Sequence, residues 1–284
     1  MEDRVMGFPT KASILVICAL LLSSGQTRAA GTLYAVTFDS PGNLYTVNSS
    51  TGSVNFVAST SMSQANGIAF DASGQLYSNS NNGNLYRINH QTGATTQLPG
   101  GMGISPLEGD LAYNAAADNF LGADSVHSLL YKINKNTGVG AVIGSFGTTG
   151  LEISGLTFGP GGLLYGLACN NSNPATLVTI DPVFGWINST IGLTGTSGSL
   201  AGLAYDPTID TLYMAMGPPG TPSYASLYTV NASTGAATLV GPMGIYSVSG
   251  LTVLIPEPAS MISMAAAGLF LARSPRKFRA PSNL

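Results

Sequence analysis

The chain has 284 residues, 44% of them hydrophobic and only 8% charged, with a formal net charge of −3. Residues 31–255 carry three bases (Arg87, Lys132, Lys135) against ten acids, a balance of −7 that repels phosphate backbones and excludes nucleic acid as a partner. No 18-residue apolar run crosses that stretch, which excludes a helical membrane bundle, and 36 Gly with 16 Pro fit many short strands joined by tight turns.

Residues 1–30 read as a secretory signal peptide. Arg4 and Lys11 supply a basic start and residues 12–22 an apolar stretch, and Thr27-Arg28-Ala29-Ala30 offers cleavage after Ala29 or Ala30. Cys18 lies inside the apolar stretch, so processing leaves Cys169 as a single thiol with no disulfide partner. With no electropositive neighbour in sequence, Cys169 is expected to be a buried, inert side chain.

Residues 31–255 are built from a repeat. The phrase Leu-(Tyr/Val)-x-(Val/Ile)-(Asn/Asp)-x-x-x-Gly starts at Leu44, Leu85, Leu130, Leu177 and Leu227 and closes at Gly52, Gly93, Gly138, Gly185 and Gly235. Steps of 41, 45, 47 and 50 residues suit a four-stranded propeller blade. An inner strand is predicted at Gly67, Asp110, Gly155, Gly202 and Gly250, where small residues alternate with large ones. A second strand starts at Leu76, Phe120, Leu164 and Leu212, the repeated phrase is the third, and a fourth follows its Gly. Asn48, Asn89, Asn134, Asp181 and Asn231 can bond their own backbone two residues on, and the closing Gly supplies a left-handed position.

Strand counting predicts closure. The segment from Leu33 to the strand after Gly52 is a blade lacking its inner strand, and residues 249–254 supply only an inner strand. Joining them removes exposed edges. The fold class is therefore all-β: a five-bladed β-propeller of four-stranded antiparallel blades, closed by strands from both ends.

Loops between strands one and two, and between three and four, are short and uniform, so one face of the disc reads as plain. Loops between strands two and three lengthen along the chain and share the other rim with the inter-blade linkers, and variable loops on a rigid scaffold are where binding tends to reside. The candidate binding rim comprises Asp124, His127, Asn170, Asn171, Tyr224 and the Gly217-Pro218-Pro219-Gly220 stretch. Drift without function is the competing account of these loops. No nucleophile motif accompanies Asp124 and His127, and His90 sits in a repeat turn. Asp118 with Asp124, or Asp206 with Asp210, lacks EF-hand spacing, and no phosphate-cradling Gly loop opens a helix. Trp186 reads as a packing residue rather than a sugar platform. No catalytic, cofactor or metal site is therefore expected.

Residues 256–284 have three parts in order: Pro256-Glu257-Pro258-Ala259-Ser260, a run from 261 to 272 that is apolar apart from Ser263, and the bases Arg273, Arg276, Lys277 and Arg279. The prolines form a stiff extended segment, the apolar run can enter a bilayer as a short transmembrane helix, and the bases are retained on the cytoplasmic side. This order resembles the PEP-CTERM sorting signal of Gram-negative bacteria. The resemblance implies recognition of Pro256, Glu257 and Pro258 by an exosortase, a membrane-embedded cysteine transpeptidase-like enzyme. It also implies transient anchoring in the inner membrane, delivery to the cell surface or extracellular matrix, and a link to exopolysaccharide and biofilm production. The expectation is a noncatalytic exported propeller that binds a polysaccharide or surface protein through its variable rim. The alternatives are a hydrolase or lyase using the central channel, for which Asp110 is the one charged inner-strand residue, and a purely structural matrix component.

Overall fold

The computed structural model describes residues 29–106, 108–147, 151–170, 173–198, 200–217 and 224–256. The leader up to residue 28, the tail from Glu257 onward with its expected helix, and Asn171 lie outside the described residues.

Twenty strands form five four-stranded antiparallel sheets. The chain enters on β1 (Thr32–Thr37), β2 (Asn43–Val47) and β3 (Val54–Ser59). Blade 1 follows as β4 (Ala65–Phe70), β5 (Leu76–Ser80), β6 (Asn84–Ile88) and β7 (Thr95–Gly101). Blade 2 is β8 (Leu111–Asn114), β9 (Asn119–Asp124), β10 (Leu129–Ile133) and β11 (Gly140–Ser145). Blade 3 is β12 (Glu152–Phe158), β13 (Leu164–Asn170), β14 (Asn173–Ile180) and β15 (Ile187–Leu193). Blade 4 is β16 (Ala201–Asp206), β17 (Thr211–Met216), β18 (Ser226–Val230) and β19 (Ala237–Pro242), and β20 (Val248–Leu254) ends the described chain.

The fifth sheet runs β20-β1-β2-β3, with Leu33 opposite Val253 and Ala35 opposite Leu251. Both ends of the described chain thus build one closing blade, as the strand count predicts. The one helical element described is a 3-10 turn at Pro160–Gly162, and no helix among the described residues is long and apolar enough to cross a membrane.

Strand order follows from burial. Second strands are covered on both faces, as in β5, where all five residues are buried, whereas outer strands such as β3 alternate with solvent. Five apolar clusters fill the five blade-to-blade contacts, one each. Between blades 1 and 2, for instance, Tyr77, Leu85 and Leu98 meet Phe120, Tyr131 and Ile133.

The turn between strands three and four repeats five times with one geometry. Asn48 Oδ1 accepts the N–H groups of Ser50 at 2.9 Å and Thr51 at 3.1 Å, and Asn89, Asn134, Asp181 and Asn231 do the same. Gly235 closes its turn at φ 78°, and its four counterparts are likewise left-handed. These glycines have a second duty that the repeat did not reveal. A Cβ on Gly235 would stand 2.5 Å from the Gly192 carbonyl oxygen of blade 3, and one on Gly52 would stand 2.5 Å from that of Gly241 in blade 4. Gly138 and Gly185 approach Gly100 and Gly144 in the same way, and Gly93 approaches Ala58. Each turn rests on the outer strand of the preceding blade, all the way round the ring.

Candidate functional site

The ring has two unlike faces. On the variable rim lie the loops between second and third strands and the inter-blade linkers. On the opposite face lie the remaining turns and both ends of the described chain, since β1 begins and β20 ends there.

On the variable rim, Asp124 closes β9 and is buried, with a side chain only 3% exposed, while the His127 side chain is 58% exposed. The His127 Nδ1 stands 2.7 Å from Asp124 Oδ2. The hydroxyls flanking this pair are committed elsewhere: Ser125 Oγ donates to the Ile153 carbonyl at 2.7 Å and Ser128 Oγ to that of Leu151 at 3.1 Å. The structure therefore brings Asp124 and His127 together, with the Ser125 and Ser128 hydroxyls donating to backbone carbonyls at the start of blade 3. Glu108 lies in the linker before blade 2, where burial first and the Glu152 charge second hold its carboxyl above the usual range.

Asn170 ends β13 on the same rim in blade 3. Tyr224 belongs to blade 4, apart from the Asp124–His127 pair of blade 2. It is 54% exposed and stacks on Tyr246, with ring centroids 4.3 Å apart and planes at 25°. Tyr246 comes from the linker after β19, and the Ala225 N–H donation to the Ile245 carbonyl at 2.7 Å fixes the two segments side by side. Sequence reading found Tyr224 and missed Tyr246, whose only signal was a second Tyr in the adjoining linker.

The face that loop lengths mark as plain holds the axial cavity. Its volume is about 370 Å³, and Ala69, Ala112, Thr157, Ala204 and Thr252 from five inner strands line it, with Ile255 at its edge. That volume falls within the range of small-ligand pockets. Its floor is closed by backbone. Gly67, Gly155, Gly202 and Gly250 share one inner-strand position, and a Cβ on Gly202 would stand 2.5 Å from the Leu251 nitrogen.

The fifth residue of that set is Asp110, which is 0% exposed. Its Oδ1 accepts from the Leu111 N–H at 2.8 Å, and its Oδ2 from Leu156 at 3.0 Å and Leu203 at 3.2 Å. The Ile68 N–H is a fourth donor. One carboxyl group thus gathers backbone donors from four blades. Burial pushes it well above the usual carboxylate range, against the pull of those N–H groups.

On the same face, the residue after the turn Asn reaches toward the preceding blade at three of the five turns. Ser49 hydrogen-bonds Tyr213, and the His90 ring meets Tyr34 edge-on at 5.7 Å. Lys135 Nζ stands 2.7 Å from Asp118 and 3.4 Å from Asp71 of blade 1, and 5.8 Å from the Tyr113 ring centroid. The Asp118 hydrogen bond first, with Asp71 and other nearby groups behind, raises the Lys135 ammonium to about 12. Asp118 is lowered by that same bond and by the Tyr113 hydroxyl. At Asp71 burial pushes upward, but the Ser73 hydroxyl, two backbone N–H groups and Lys135 outweigh it, and the carboxyl lies below its ordinary range.

These shifts fix a sign. Stabilisation from two depressed carboxyls is present above their unfolded values and lost as pH falls through the folded ones. Stabilisation from the raised ammonium is complete below its unfolded value and lost as pH climbs toward about 12. The Tm difference between wild type and Lys135→Met should therefore be widest between about pH 5 and 9 and close on acidification. Thermal melts across that range check it.

Trp186 differs from the packing role expected of it. It is 48% exposed and lies on Phe184, with centroids 4.6 Å apart and planes at 14°, because the turn that carries both sits on the outer edge of blade 3. Cys169 matches its expectation. It is buried, and burial first, against the pull of a Ser154 hydrogen bond, pushes its thiol up to about 12. A thiol reagent should label it at least about 100-fold more slowly in the folded protein than in denaturant, because only the thiolate reacts. Equal rates would contradict that burial. No group of three or more His, Cys, Asp or Glu side chains able to hold a metal ion is found among the described residues.

Fold and site together define a five-bladed β-propeller with a plugged axis. Residues 9–109 match a family model described as a repeat of unknown function (DUF6923). No curated protein sequence matches the chain. Among solved structures, a chain in the crystal structure of a nidogen/laminin complex is 14% identical and has a TM-score of 0.50, covering 81% of this chain and 100% of that one. A chain of Kuenenia stuttgartiensis hydrazine synthase is 13% identical with a TM-score of 0.43, over 64% of this chain and 49% of its own. At 14% identity the likeness to the nidogen/laminin chain is one of fold alone, and fold does not fix function.

Proposed function

We propose that this chain is an exported, noncatalytic β-propeller. An exosortase-type enzyme sorts it through Pro256-Glu257-Pro258, and it binds a polysaccharide or surface protein at the cell surface or in the extracellular matrix. The observation that carries this reading is the polarity of the ring. The described chain leaves the axial-cavity face at Pro256, which is exposed, whereas the stacked pair Tyr224–Tyr246 lies exposed on the opposite rim. A protein tethered through its tail therefore turns the tyrosine rim away from the membrane.

Stacked tyrosines offer a flat apolar surface with polar tips, a surface suited to a sugar ring or a partner side chain. The noncatalytic reading is supported by Asp110. This carboxyl group, the central-channel candidate, is buried and consumed by backbone donors. The reading is tested by applying the processed protein to a glycan array and to matrix polysaccharide. Tyr224→Ala should weaken binding about tenfold or more, a loss of about 1.4 kcal/mol. Unchanged binding would remove the tyrosine rim from the account, and failure to bind anything would favour a purely structural role. Changing Pro256, Glu257 and Pro258 to alanine should alter processing or surface retention, and an unaltered distribution would dismiss the sorting step.

A further inference from the structure

The junction between leader and ring holds a feature that the rim does not need. The Gly31 backbone nitrogen donates to Asp206 Oδ2 at 2.7 Å across 175 residues of sequence. Asp206 is 2% exposed, and its other oxygen accepts from the Thr208 N–H at 2.8 Å and the Thr208 hydroxyl at 2.6 Å. These donors are all neutral. A carboxylate so deeply placed gains most from a cationic partner, and Oδ2 meets the chain at its entry, on the Gly31 N–H. Ala29 and Ala30, just upstream, are exposed. Gly31 itself is packed too closely against Val253 to carry a side chain.

From this geometry we infer that Asp206 is the seat for the α-ammonium group freed when the leader is removed at Ala29–Ala30 or Ala30–Gly31. This rests on the export reading above. Hydrolysis of that peptide bond converts an amide nitrogen, which can give one neutral hydrogen bond, into a primary ammonium with three donors and a full charge. Either cut places that charge within one residue of the carboxylate. The pair then ties the start of β1 to the end of β16, so blade 4 holds the closing blade. Processing thereby strengthens ring closure only after the chain has left the cytoplasm, and the precursor keeps a weaker clasp during translocation.

The test uses the full-length gene expressed with export in a Gram-negative host. N-terminal sequencing of the exported protein should read Ala30 or Gly31 as its first residue. A protein still starting at Met1 would sink the export reading, whereas a start upstream of Ala29 would sink the clamp alone. The processed protein is then selectively acetylated at its α-amine, in wild type and in Asp206→Asn. Acetylation should lower the wild-type Tm by about 2–4 °C and leave the variant unchanged. Equal shifts in both, or none in either, would overturn the pairing. Should Asp206→Asn fail to fold, the acetylation rate of wild type decides: an α-amine held by Asp206 reacts about tenfold more slowly in the folded protein than in urea. Equal rates reject the clamp.

Discussion

Replacing Asp110 with alanine should remove about 3–5 kcal/mol of stability, a large part of what a domain of this kind has. The loss arises because four backbone N–H groups, from Ile68, Leu111, Leu156 and Leu203, converge on one carboxyl group at the axis. Each donor left without an acceptor costs about 1–3 kcal/mol, partly offset because no carboxyl group then needs to be buried. Asparagine keeps one acceptor oxygen but turns a second donor toward the N–H groups, so it should cost about half as much. Glycine, which the other four blades use at this position, should be no better than alanine, since it supplies no acceptor. Urea denaturation measures all three, and Asp110→Ala within 1 kcal/mol of wild type would show that the axis is held by packing alone.

Gly235→Ala should destabilise the ring by about 3 kcal/mol, and Gly244→Ala by about 1 kcal/mol. Both glycines are left-handed, at φ 78° and 70°, so the backbone penalty is common to both. They differ in surroundings. A Cβ on Gly235 meets the Gly192 carbonyl of the preceding blade at 2.5 Å, and one on Gly244 meets nothing within 4 Å. Backbone cannot move aside as a side-chain tip can, so the excess measures the turn-to-blade contact itself. Equal denaturation midpoints for the two variants would mean that this contact is slack.

Much of the fold was legible because its determinants are local and recur. Leu44, Leu85, Leu130, Leu177 and Leu227 mark third strands, and the Asn and Gly that follow them build one hydrogen-bonded turn. Closure was legible because three strands of a blade on one side and its missing inner strand on the other have a single way to lose their edges. What distance brings together was harder to read. Asp110 stood out only as an acid where the other blades have Gly, and nothing local shows that donors from four blades meet there. Loop length was the signal used for the site, and it points to the variable rim alone. Short turns left one face apparently plain, yet Ser49, His90 and Lys135 reach from those turns to the preceding blades, and the axial cavity opens among the inner-strand ends. Of the rim residues, Asp124 and His127 were found as neighbours in sequence, while Tyr224 needed Tyr246 from another segment to become a surface.

The start of β1 and the end of β20 lie on one face, and this sets how the ring bears load. A tether pulling at Pro256 against a ligand on the tyrosine rim draws β20 lengthwise past β1 and β16. Its interstrand bonds are then strained together in shear. Grasping residue 31 and Pro256 and drawing them apart would instead peel Thr32 from Leu254 and open the pairs one at a time. The same closing blade would thus resist a pull along β20 and yield to separation of residue 31 from Pro256.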